Sequence, residues 1–174
     1  MNKRQHEIRD PLHTFIRLET DERKVVDSRP VQRLRHIQQL ALTSLIYPAA
    51  THRRFEHSLG VMELAGRVYD IVTDPENHRT DSVRDIVPKL GLFDHQYWRR
   101  VVRMVALCHD IGHLPFSHAG EDLLPDGKKH EHLTIALIES AGMRNLWNDL
   151  NVKGTEVAVQ SLRLAFLSSS GIGY

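Results

Sequence analysis

The sequence predicts an all-α domain, and three observations carry that reading. Apolar residues recur at three- and four-residue intervals in several segments, as on one face of a helix. Proline, glycine or polar runs separate these segments. Only one short stretch, near the N-terminus, alternates apolar and polar residues as a strand does. The 174 residues suit a single domain with a real core.

Residues 10–19, DPLHTFIRLE, open on a turn signal, and Ile16 and Leu18 alternate with polar neighbours. Residues 1–29 therefore read as an N-terminal arm, extended or folded into a hairpin. Within it Thr20 can cap one helical turn, with Asp21 and Glu22 near its N-terminus. Pro30 is a good first-turn proline, and Val31, Leu34, Ile37, Ala41 and Leu45 follow at helical spacing. This predicts one amphipathic helix over 30–46, stopped by Pro48. Leu59, Met62, Ala65, Val68 and Val72 mark the face of the next helix. Residues 74–82 are polar and read as a loop, and 81–90 as a short helix limited by Pro88. Val101, Val102, Val105, Ala106 and Leu107 form a strongly apolar helix, with Gly112 and Pro115 as its stop. Residues 119–130 carry turn chemistry in Pro125, Asp126 and Gly127. Leu133, Leu137 and Ile138 predict a helix ending near Gly142, and Val157, Leu164, Phe166 and Leu167 a last one. The expectation is five to seven helices, a core over 30–167 and a tail over 168–174.

Composition excludes more than it selects. With 23 Lys+Arg against 22 Asp+Glu the net charge is +1, so nucleic acid is a possible partner that nothing indicates. No apolar run approaches a membrane span, and MNKRQHEIRD lacks the apolar core of a secretory signal. A single cysteine cannot form an internal disulfide. A cytoplasmic protein is expected.

The unusual count is histidine, twelve in all, nine of them between His52 and His132. ALCHDIGHLPFSH, residues 106–118, holds three of these, an aspartate and Cys108, which reads as a small buried hydrophobe. Adjacent helix residues point about 100° apart. His109 and Asp110 can therefore share a metal only at a helix end. His113 lies four residues on, and a bend at Gly112–Pro115 would return His118 to the same cleft. His57 begins another apolar helix, so two packed helices could present His57, His109 and Asp110 to one ion. Imidazole plus carboxylate suits Zn, Fe, Mn or Ni.

Taken in order, DPLH, QRLRHIQQL, RRFEHSLGV, ALCHDIGHLPFSH and KHEH resemble the HD-domain superfamily of metal-dependent phosphohydrolases, and more closely its deoxynucleoside triphosphate (dNTP) triphosphohydrolase branch. The resemblance covers roughly residues 10–140. It implies an HD-domain helical bundle, with His57, His109 and Asp110 as metal ligands and Mg as a further candidate ion. It implies that His113 is an acid/base or phosphate contact, and that Arg54 and His118 contact substrate phosphate. His130 would be the general acid, partnered by Glu121 where the branch usually has an aspartate. Gln39 would contact the nucleotide sugar. The implied substrate is a dNTP, and a homo-oligomer is a further expectation.

The family pattern ends on a later aspartate, in a word like DxxDYxxRD, and this sequence holds none. Its aspartates after Asp110 are Asp122, Asp126 and Asp149, none in that context. The chain thus reads as a fragment or a short form. The alternative to an enzyme is a non-catalytic HD module that binds nucleotide or mediates oligomerisation.

Overall fold

The computed structural model describes residues 6–78, 80–87 and 91–149. The expected last helix over 157–167 and the tail over 168–174 lie outside the described residues, as does Pro88.

The N-terminal arm is a hairpin. Strands β1 (His6–Asp10) and β2 (Thr14–Leu18) pair antiparallel, with Ile8 opposite Ile16. Asp10 Oδ1 accepts from the amides of Leu12 and His13, which closes the turn. Ile16 and Leu18 point into the same core as the helices that follow.

Helix α1 (Thr20–Val26) buries Val25 and Val26, and α2 (Arg29–Gln32) buries Val31. The expected helix over 30–46 does not exist as one element. After α2 come a 3-10 turn at Arg33–His36, an extended Ile37, and a second 3-10 turn at Ala41–Leu45. The backbone is diverted because residues 37–39 pair with the entry to the next helix. The Arg54 amide donates to the Ile37 carbonyl, and the Gln39 amide to the His52 carbonyl. Val31, Leu34 and Ile37 still reach the core, whereas Leu42 and Leu45 are exposed.

Helices α3 (Arg54–Thr73) and α5 (Leu92–Cys108) pack against each other and form the scaffold of the domain. Between them lie a 3-10 turn at Pro75–Asn77 and α4 (Asp81–Ile86). Leu59 and Met62 are buried as expected, but the later part of that stripe is not: Val68 and Val72 are 49% and 51% exposed. Helix α6 (His130–Ile138) is followed by α7 (Ala141–Asp149), where the sequence reading placed a stop near Gly142. Met143 and Trp147, four residues apart, bury α7, and the Trp147 indole N–H donates to the Ile138 carbonyl at 3.0 Å.

One buried ionic node ties these layers together. Arg103 of α5 donates to both oxygens of Glu22 in α1 at 2.6 and 3.0 Å, to the Arg17 carbonyl of β2 at 2.8 Å, and to Glu63 of α3 at 3.3 Å. Burial opposes its charge, but the hydrogen bonds it donates to Glu22 and Glu63, and the charges of those carboxylates, outweigh it and raise the guanidinium pKa. The described residues form seven α-helices and one hairpin around one core. Among them, no helix is long and apolar enough to cross a membrane.

Candidate functional site

The site forms where α5 ends. Cys108 is its last helical residue, His109 caps it, and residues 110–112 turn instead of continuing as helix. This is earlier than Gly112–Pro115, and it lets both His109 and Asp110 leave the helix face. Arg33 holds the turn by donating to the carbonyls of Ile111 at 2.6 Å and His113 at 2.7 Å.

His57, near the start of α3, joins His109 and Asp110. One donor atom from each of the three lies within 4.8 Å of the others. His57 Nε2 is 3.8 Å from Asp110 Oδ2, and His109 Nε2 is 3.2 Å from Asp110 Oδ1. The His109 Nδ1–H donates to the Ala106 carbonyl at 2.7 Å. A carbonyl can only accept, so this bond fixes the tautomer and leaves the Nε2 lone pair free. Burial, aided by His109, Arg54 and His52 and opposed by Asp110, lowers the His57 pKa and favours the neutral, ligating form. Burial alone would raise the Asp110 carboxyl, but His109, Arg54 and His113 together hold it below its usual range. Two imidazoles and an ionised carboxylate fit a divalent transition ion.

Arg54 is buried and turned inward. One arm of its guanidinium pairs with Asp110 Oδ2, and the other donates to Ser117 Oγ at 2.6 Å, while its Nε has no hydrogen-bond partner.

A second cluster borders the first. His113 Nε2 lies 3.5 Å from Asp110 Oδ1, and its ring stacks on His130 at 3.7 Å. Burial foremost, with Arg54 and His130 adding, pushes His113 down to about 3, so it stays neutral. The bend brings His118 back as expected, its ring 4.9 Å from that of His113. Phe116 and Ser117 make this bend with φ of 71° and 59°, a conformation that side-chain-bearing residues rarely adopt. Glu121 Oε1 accepts from His130 Nδ1 at 2.6 Å and from His118 Nδ1 at 2.9 Å. The longer acid therefore reaches both imidazoles. Burial opposes ionisation of Glu121, but these bonds lower its pKa overall.

Gly112 explains how α6 comes so close. A Cβ here would clash with the His130 carbonyl and the Thr134 amide. In its absence the Gly112 amide donates to Thr134 Oγ1 at 3.0 Å. Gln39 sits beside the bridge that joins Gln38 to Arg53, with its Oε1 buried and without a hydrogen-bond partner. The fold thus brings eight of the nine expected site residues into two adjoining clusters, with Gln39 at the entry to α3. Sequence reasoning missed Arg33, Ser117 and Thr134, whose roles come from contacts across 78, 63 and 22 positions.

The model of the HD domain family matches residues 54–157. The chain is 36% identical over 147 residues to an HD domain-containing protein of Acanthamoeba polyphaga mimivirus, covering 82% of this chain and 32% of that protein. It is 36% identical over 136 residues to the deoxynucleoside triphosphate triphosphohydrolase SAMHD1 homolog of Dictyostelium discoideum, covering 75% of this chain and 24% of that protein. A crystal structure of a hypothetical protein from Aquifex aeolicus superposes with a TM-score of 0.72 at 30% identity, over 95% of this chain and 38% of that one. The chain spans about a third or less of the length of the curated relatives it matches.

Proposed function

The chain belongs to the HD domain family, related to the dNTP triphosphohydrolases, and on that premise we propose that it is a cytoplasmic, metal-dependent phosphohydrolase acting on dNTPs. The observation that carries this reading is the junction at Asp110. One oxygen of its carboxylate lies 3.2 Å from His109 Nε2, on the metal side, and 3.5 Å from His113 Nε2, on the imidazole side.

In this reading His57, His109 and Asp110 hold a divalent ion, with Zn, Fe, Mn or Ni suited to the donors and Mg a further candidate. Such an ion supplies a Lewis acid that polarises a phosphoryl oxygen and makes water more acidic. The chain's residues do the rest. His118 and Arg54 meet substrate phosphate, Arg54 by its planar fork once it is released from Ser117. His113, neutral and buried, contacts the reacting phosphoryl group. Water adds to the α-phosphorus and the bond to the 5′ oxygen breaks. His130 donates its proton to that leaving oxygen, oriented by Glu121. The products are deoxynucleoside and inorganic triphosphate, and Gln39 meets the sugar.

The test is elemental analysis paired with a turnover assay that resolves triphosphate from pyrophosphate. The parent should carry metal and release triphosphate, and Asp110→Ala should lose both. Nucleotide retained by the parent without hydrolysis would establish a binding module instead.

A further inference from the structure

The second cluster holds more anionic and imidazole donors than an acid and a phosphate contact require. Glu121 Oε1 accepts from two imidazoles at once, His130 Nδ1 at 2.6 Å and His118 Nδ1 at 2.9 Å. A second carboxylate approaches the same nitrogen of His130. Glu131 Oε2 lies 3.4 Å from His130 Nδ1, is buried, and makes no hydrogen bond. Arg54, whose charge acts on His113, is already committed to Asp110 and Ser117. Two carboxylates therefore converge on His130, one with an unsatisfied buried oxygen. Such an oxygen is costly unless a cation or donor meets it.

We propose that His118, Glu121 and His130 form a second divalent transition-metal site, distinct from that of His57, His109 and Asp110, with Glu131 supplying charge at its edge. Two imidazoles and a carboxylate are a recognised zinc donor set that leaves a fourth position open. One donor atom from each of these three residues, and one from His113, lie within 4.8 Å of each other. His113 is the wall of the site rather than a ligand. Its ring is stacked on His130 with 17° between the planes, and lone pairs lie in the ring plane, so the two cannot aim at one ion. Tetrahedral zinc needs donor separations of about 3.3 Å. The nitrogens must therefore move out from Glu121 by well under ~1 Å, and the His118 side chain, 70% exposed, is free to do so. An ion held here replaces the bonds by which Glu121 orients His130 and His118, so zinc in excess inhibits. That consequence alone rests on the proposed function.

The experiment is equilibrium dialysis of chelator-stripped protein against Zn²⁺, with bound metal counted by elemental analysis and folding followed by circular dichroism. The parent should saturate at two ions per chain. His118→Ala, at an exposed position, should keep one ion and weaken the other at least tenfold, and Glu131→Gln should weaken the same ion. His57→Ala should keep the ion that His118→Ala loses. A parent that saturates at one ion would overturn the proposal and assign the excess charge to a proton. Two ions retained by folded His118→Ala would overturn it as well. Two ions per chain, with no dNTP hydrolysis even when one equivalent of metal is supplied, would leave this site standing and remove the proposed function; hydrolysis by a parent that saturates at one ion would do the reverse.

Discussion

The turn after Cys108 shows how much chemistry depends on a single residue's surroundings. His113 is 2% exposed and its pKa is pushed down to about 3, whereas an unfolded chain would protonate it near 6.5. Between those values the unfolded state binds the extra proton, so stability rises with pH across that window and is fully present above it. Urea unfolding of chelator-treated protein should show a loss on the order of 1 kcal/mol from pH 7.5 to pH 5, and His113→Gln should flatten the slope. Cys108 gives a simpler expectation. It is fully buried, and burial pushes its thiol up to about 12. The thiolate is the reactive form, so iodoacetamide should leave Cys108 unmodified in the native protein at pH 8 and label it in denaturant. Labelling of the native chain would mean that the end of α5 opens.

At the scale of elements, the approach of α6 to the end of α5 decides whether there is a second cluster at all. Gly112 permits it by lacking a side chain, since a methyl group would meet the His130 carbonyl and the Thr134 amide. Gly112→Ala should cost about 1–3 kcal/mol as overpacking, read as a lower Tm, and should separate His130 from His113. Nuclear magnetic resonance of the imidazoles would register that separation, and an unchanged Tm would refute the account. The helix expected over 30–46 carries the opposite lesson. Its periodicity was real only as far as Ile37, because the next residues pair with the entry to α3. Periodicity reports which side chains prefer burial, not which backbone partners the chain will find.

At the scale of the molecule, the hairpin, α1, α3 and α5 are joined at Arg103. Removing one partner of a buried ionic network leaves the others desolvated and unpaired, at a cost of about 3–5 kcal/mol. Arg103→Ala should therefore lower stability by that amount. Because the hairpin shares the core, its loss of structure should coincide with that of the helices, seen as amide hydrogen-exchange protection lost together in β1, β2, α3 and α5. A hairpin that melts separately would show that β1 and β2 are an independent unit.

The sequence by itself determined the helical class, the burial of Leu59, Met62 and Leu107, and the identity of the donors in ALCHDIGHLPFSH. Those features are local, written in spacing and residue chemistry. Its ordered words also pointed to the family that the HD domain match over residues 54–157 then established. Only the tertiary structure decided that α5 stops at Cys108, that Asp110 stands between two histidine clusters, and that Glu121 serves two imidazoles at once. It also decided the inward turn of Arg54 and the orphaned oxygen of Glu131. The physical reason is the same in each case. Such features arise from close approaches between segments far apart in the chain, or from burial that those approaches create, and neither leaves a period in the sequence.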